Sequence, residues 1–85
     1  MEGISRLIDE VILEIARQRS LDIARITPGQ SIVADLGFSS LDIAQLVATL
    51  ELRLGIDPFL KDVSIASIKT VEDLYAAYAG APLAA

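Results

Sequence analysis

Six apolar residues near the start of the chain limit its fold more than any other feature. Ile4, Leu7, Ile8, Val11, Ile12 and Ile15 fall at i, i+3, i+4, i+7, i+8 and i+11. That spacing gathers side chains on one face of an α-helix. Arg6, Asp9, Glu10, Glu14 and Arg17 take the other side, so 4–17 reads as a core-facing helix with a solvated face. Such a helix needs other apolar faces to cover it, and 85 residues are enough for one domain.

The covering faces come later in the chain. A second helix is expected from Ser39 or Ser40 to Leu54, stopped by Gly55. Ser39 is a good N-cap, with Asp42 three residues on as a capping-box partner. This helix has two stripes. Ile43, Leu46, Val47, Leu50 and Leu54 form the core side. Leu41, Gln45, Ala48 and Leu52 recur at i, i+4, i+7 and i+11 on the opposite side. The outer stripe reads as a helix packed on both sides, as scattered surface leucines, or as an exposed docking surface. A last helix is expected after Thr70, capped by it with Asp73 at the third position after. Val71, Leu74, Tyr75 and Tyr78 form its core stripe and Gly80 ends it.

Residues 18–38 form a long connection with a turn at Pro28-Gly29. Its isoleucines and Phe38 should pin it across the helices. Residues 56–70 are irregular, with Val63, Ile65 and Ile68 in one short helical stretch. The expected fold is all-α: a small antiparallel bundle of three main helices and one short one, with a long first loop and no strand pattern. The domain should span 1–79, with 80–85 a flexible tail.

Composition removes whole classes of function. The chain has no cysteine and no histidine. Disulfides, thiolate metal sites and the commonest general base are therefore missing. Twelve acids against seven basic residues give a net charge of −5, which disfavours nucleic acid and favours a basic partner surface. Hydrophobic residues make up 53% of the chain but come in amphipathic pieces; none approaches the ~20 residues of a membrane span. Acids stand where a signal peptide would have its basic region, so a cytoplasmic monomer is expected. Gly37-Phe38-Ser39 begins like a nucleophile elbow, but position 41 is leucine and no histidine exists to serve it. Asp9 with Glu10, and Glu72 with Asp73, are helix neighbours that diverge. Asp35, Asp42, Asp57 and Asp62 have no metal-loop spacing. No catalytic residue and no metal site is expected.

Ser40 remains. It stands in the first turn of a helix, where free N–H groups and the positive dipole end tolerate an attached phosphate. Taken alone, a serine there reads as a plain cap. The surrounding pattern says more. Asp35-Leu36-Gly37-Phe38-Ser39-Ser40-Leu41-Asp42 resembles the D-L-G-x-D-S-L-D attachment motif of acyl carrier proteins. Ile68-Lys69-Thr70-Val71-Glu72-Asp73-Leu74 is similar to that family's I-x-T-V-x-D-L lead into its last helix, and the resemblance covers most of the chain.

The resemblance implies a non-catalytic carrier. Ser40 would bear 4′-phosphopantetheine, installed from coenzyme A by a phosphopantetheinyl transferase, with cargo held as thioesters on its thiol. Leu41, Asp42, Gln45, Ala48 and Leu52 would meet partner enzymes: a loading ligase or acyltransferase, a ketosynthase and others of a pathway. Phe38, Ile43, Val47, Leu50, Val63 and Ile68 would line a space that shelters an acyl chain, or would simply be core. Two departures bear on the pathway. Ser39 stands where the family usually has Asp, and the outer face of helix two is poor in acids. The G-G-x-S pattern of peptidyl carriers is not matched. A discrete carrier of polyketide or hybrid natural-product assembly is therefore expected. The alternatives are a carrier of primary fatty acid synthesis, an aminoacyl or peptidyl carrier, and, from another class, an unmodified helical interaction module.

Overall fold

The computed structural model describes residues 2–55 and 67–79. They form three helices in the order α1 (Glu2–Gln18), α2 (Ser40–Leu54) and α3 (Val71–Ala79). Among the described residues there is no strand, only an isolated antiparallel bridge between Ser31 and Thr70. The all-α bundle expected from the periodicity is the fold observed. Of the short helical stretch expected around Val63, Ile65 and Ile68, the first two lie in 56–66, outside the described residues, as does the tail 80–85, while Ile68 is described and is not helical.

The α1 stripe is buried as its spacing requires. Ile8, Val11, Ile12 and Ile15 join Leu46 and Leu50 of α2 and Val71, Leu74 and Tyr78 of α3 in one core, with Ile4 and Leu7 packed at its edge. Polar side chains tie the helices at the margins. Arg53 of α2 pairs with Glu14 of α1 at 3.2 Å. The Tyr75 hydroxyl of α3 donates to the Asp9 carboxylate of α1. Burial, and then that carboxylate, push the Tyr75 hydroxyl well above its ordinary pKa, so it stays a donor.

α1 ends in a Schellman motif. Leu21 N–H donates to the Ala16 carbonyl at 2.8 Å and Ser20 N–H to the Arg17 carbonyl at 3.2 Å. Ser20 takes the left-handed conformation this needs, at φ 56°, a position more often held by glycine. α2 ends on Gly55, also left-handed at φ 66°, whose N–H reaches the Glu51 carbonyl.

The long loop is pinned, as its apolar residues suggest. Ile32, Leu36 and Phe38 are buried, while Leu21, Ile23 and Ile26 pack at the core's edge. Val33 stays exposed, as do Ala24 and Ala34. Ser31 and Asp35 fold the segment between them: Ser31 N–H donates to Asp35 Oδ2 at 2.7 Å and Asp35 N–H returns to the Ser31 carbonyl at 3.0 Å. Gly37 then turns the chain at φ 80°.

The loop also holds the start of α3. Val71 N–H donates to the Gln30 carbonyl at 3.1 Å, Glu72 N–H to the Pro28 carbonyl at 2.9 Å, and Ile32 N–H to the Lys69 carbonyl at 3.0 Å. First-turn donors that a helix leaves open are thus met by backbone from elsewhere in the chain. Thr70 completes the cap, its Oγ1 accepting from Asp73 N–H at 3.1 Å while Asp73 Oδ2 accepts from Thr70 N–H at 3.0 Å.

Candidate attachment site

The loop delivers two adjacent serines to the start of α2, and the local geometry separates them. Ser39 is the N-cap, with extended backbone at φ −88° and ψ 174°. Its Oγ accepts from Asp42 N–H at 3.2 Å, and its own N–H donates to Asp42 Oδ2 at 2.8 Å. This is a reciprocal capping box. Ser40 is the first residue of the helix and is exposed. With Ser39 and Asp42 satisfying each other, the N–H groups of Ser40 and Leu41 are the first-turn donors left without a capping acceptor among the described residues.

Asp42 is a correction to the sequence reading. It was expected on the partner-facing surface, yet it is buried, with 3% of its surface exposed. The cap draws its carboxylate inward, and Arg19 Nη1 donates to the same Oδ2. Ser39 N–H first, then the Ser39 hydroxyl and the Arg19 charge, hold its pKa below the ordinary carboxylate value against the opposing effect of burial. No pattern in the sequence singles out Arg19. Its signal is indirect: a carboxylate at the third position of a capped helix needs a counter-charge once buried, but nothing local says which cation supplies it.

The other expected partner-facing residues lie outward. Leu41 is 77% and Leu52 86% exposed, and Gln45 and Ala48 are exposed between them. Gln45 Nε2 donates to Gln18 Oε1 at 3.1 Å, a second side-chain tie between α2 and the end of α1. The two-stripe reading of α2 therefore holds, with Leu46 and Leu50 fully buried on the far side. Of the residues considered for an acyl-chain space, Phe38 and Leu50 are buried in the core. Ile43 and Ile68 pack against that core, Val47 is half-buried, and Val63 lies outside the described residues. Among the described residues no group of three or more His, Cys, Asp or Glu side chains could hold a metal. No described helix is long and apolar enough to cross a membrane.

The small helix bundle, with a pinned loop leading into α2, is the frame of a carrier domain, and comparisons with known proteins place the chain in that class. The family described as "Phosphopantetheine attachment site" matches residues 9–78, and the chain belongs to it, among the acyl carrier proteins. It is 37% identical over 51 residues to the acyl carrier protein of Helicobacter pylori (strain G27), a stretch covering 60% of this chain and 65% of that protein. It is 36% identical over 63 residues to acyl carrier protein MbtL of Mycolicibacterium paratuberculosis, covering 74% and 68% of the two. Its fold matches the solution structure of MacpD, an acyl carrier protein from Pseudomonas fluorescens involved in mupirocin biosynthesis. There the TM-score is 0.81 at 35% identity, over 94% of this chain and 71% of that one. Membership implies covalently attached 4′-phosphopantetheine. The donor chemistry at the head of α2 fits such a group: an exposed hydroxyl, open N–H groups and the positive helix end suit a phosphodiester.

Proposed function

We propose that Ser40 Oγ is the attachment point and that the protein is a non-catalytic cytoplasmic carrier in polyketide or hybrid natural-product assembly. The observation that carries the first part is the division of the two serines. The Ser39 hydroxyl is engaged in the cap, whereas Ser40 is exposed in the first turn. In the transfer, the Ser40 oxygen forms the new bond to phosphorus, its proton is lost, and the adenosine bisphosphate half of coenzyme A leaves. When bound, the group supplies the thiol to which acyl cargo is joined. Leu41, Gln45, Ala48 and Leu52 would meet the transferase and pathway enzymes. An acyl chain would shelter beside Ile43, Val47 and Ile68, with Phe38 and Leu50 beneath it.

Two observations support the specialised pathway. A carrier involved in mupirocin biosynthesis shares the fold over nearly the whole chain. The outer face of α2 also presents Leu41 and Leu52, while its first-turn acid, Asp42, is buried. Docking on such a face should rest on apolar contact and change little with salt. Incubation with coenzyme A and a broad-specificity transferase should add one phosphopantetheinyl group to the peptide holding Ser40. The modified protein should then serve a polyketide-type ketosynthase better than a fatty-acid-type one. An unmodified chain would mean an interaction module instead, and the reverse preference a carrier of primary metabolism.

Docking has its own test. Leu52→Glu should lower transfer to a partner enzyme by about tenfold, the equivalent of roughly 1.4 kcal/mol. Its melting temperature should hardly move, because an exposed substitution away from caps and core stays within about 0.5 kcal/mol. A large loss of stability would mean that Leu52 supports the fold.

A further inference from the structure

The charge arrangement under Ser40 has an odd feature: a buried carboxylate stands beneath the place where a second negative charge is to be attached. Asp42 Oδ2 lies 2.8 Å from Ser39 N, so chain geometry holds Ser40 Oγ within about 11 Å of it. Asp42 is ionised, since its pKa is lowered. A phosphodiester on Ser40 adds another anion to the same helix turn. The helix dipole favours that charge, but an uncompensated Asp42 would oppose it.

Arg19 is the group that removes the conflict. It lies just past α1, where its N–H donates to the Ile15 carbonyl at 3.0 Å. The Schellman motif of Ser20 and Leu21 fixes the backbone there. Its guanidinium reaches across to Asp42 Oδ2 while 45% of the side chain stays exposed. Gln18, the preceding residue, is tied to Gln45 of α2. The end of α1 is therefore held against the head of α2 at two points, and one of them brings a positive charge.

We propose that Arg19 is a positioning and charge-compensating residue for the prosthetic group: by neutralising Asp42, it leaves the head of α2 able to accept the phosphodiester on Ser40. This role rests on attachment at Ser40, as proposed above. It differs from simple support of the cap because its effect should be larger in the modified protein than in the unmodified one. A purely structural contribution cancels when the two forms of the same variant are compared.

The test is the difference in melting temperature between modified and unmodified protein. It is measured at roughly 10 mM salt, where the Debye length is about 30 Å, and again near 1 M, where it is about 3 Å. Wild type should melt at the same temperature or higher once modified. Arg19→Gln should melt about 3 °C lower once modified than before, a shift that size for a domain this small. High salt should abolish that gap, Arg19→Lys should restore the wild-type difference, and so should adding Asp42→Asn to Arg19→Gln. An equal difference in wild type and Arg19→Gln at low salt would overturn the role. Should Arg19→Gln not fold, the wild-type protein still decides. Its Asp42 carboxyl, followed by NMR, should titrate at nearly the same pH before and after modification, and a rise beyond about 0.5 pH would count against compensation by Arg19. If no modification occurs at Ser40, the attachment reading fails first, and mass measurement shows it directly.

Discussion

Ser40→Ala should abolish phosphopantetheinylation, and Ser39→Ala should leave it in place. The first variant has no side-chain oxygen to form the phosphodiester, and its new methyl group sits in the first turn of a helix, which alanine favours. Its stability should match wild type within about 0.5 kcal/mol. Ser39→Ala does the opposite. The Ser39 hydroxyl accepts from Asp42 N–H, and losing a cap of this kind costs about 1 kcal/mol, or about 4–8 °C in melting temperature for a domain this size. Half of the capping box survives, because the Ser39 N–H that donates to Asp42 belongs to the backbone. Intact mass and thermal melts on both variants read the two effects separately. Modification of Ser40→Ala at Ser39, or an unmodified Ser39→Ala that melts like wild type, would undo the division of roles.

Asp42→Ala should be among the most damaging single changes outside the apolar core. The carboxylate accepts from Ser39 N–H and from Arg19 at the same oxygen, and it is buried. Removing it strips the helix of half its cap and takes the acceptor from both Ser39 N–H and Arg19. Hydrogen bonds to charged groups contribute about 1.5–3 kcal/mol. Arg19 is half exposed and regains water, so about 2 kcal/mol is expected in all. The same carboxylate sets a pH dependence. Asp42 and Asp73 both have folded-state pKa values below the ordinary carboxylate value, each chiefly because a backbone N–H donates to it, from Ser39 and Thr70 respectively. A lowered pKa means that the ionised form favours the fold. That stability is complete above the unfolded-state value near pH 4, and is lost as pH falls through the lower folded values. Urea unfolding at pH 7 and pH 3 should show a smaller loss for Asp42→Asn than for wild type. Equal losses would mean that Asp42 contributes nothing to acid sensitivity.

Periodicity made the helices legible because burial has to follow it. Ile8, Val11, Ile12 and Ile15 are inside for the reason their spacing suggests, and Leu41 and Leu52 are outside for the same reason. Both capping boxes were legible too, since each is closed by residues three apart. What the sequence hid is carried by backbone, or by side chains remote in the chain. The carbonyls of Pro28 and Gln30 bond to the head of α3, and any residue has a carbonyl. The left-handed bend at Ser20 lacks the glycine that usually marks one. The cap draws Asp42 inward, but the cation that meets it there, Arg19, is 23 positions away in the chain, and no local pattern connects the two. Ser40 itself stood out only through its neighbours, because an exposed serine at a helix start has no distinctive chemistry of its own.

The bonds from the loop to α3 also bear on the order in which the molecule assembles. α3 has nine residues, below the roughly 12–15 at which a helix begins to persist alone in water. Its first turn takes acceptors from the stretch around Pro28 and Gln30, which must already be folded back to offer them. The entropy of closing so long a span is lost before those contacts form. α1, α2 and the loop between them are therefore expected to act as the template, with α3 forming by condensation on it.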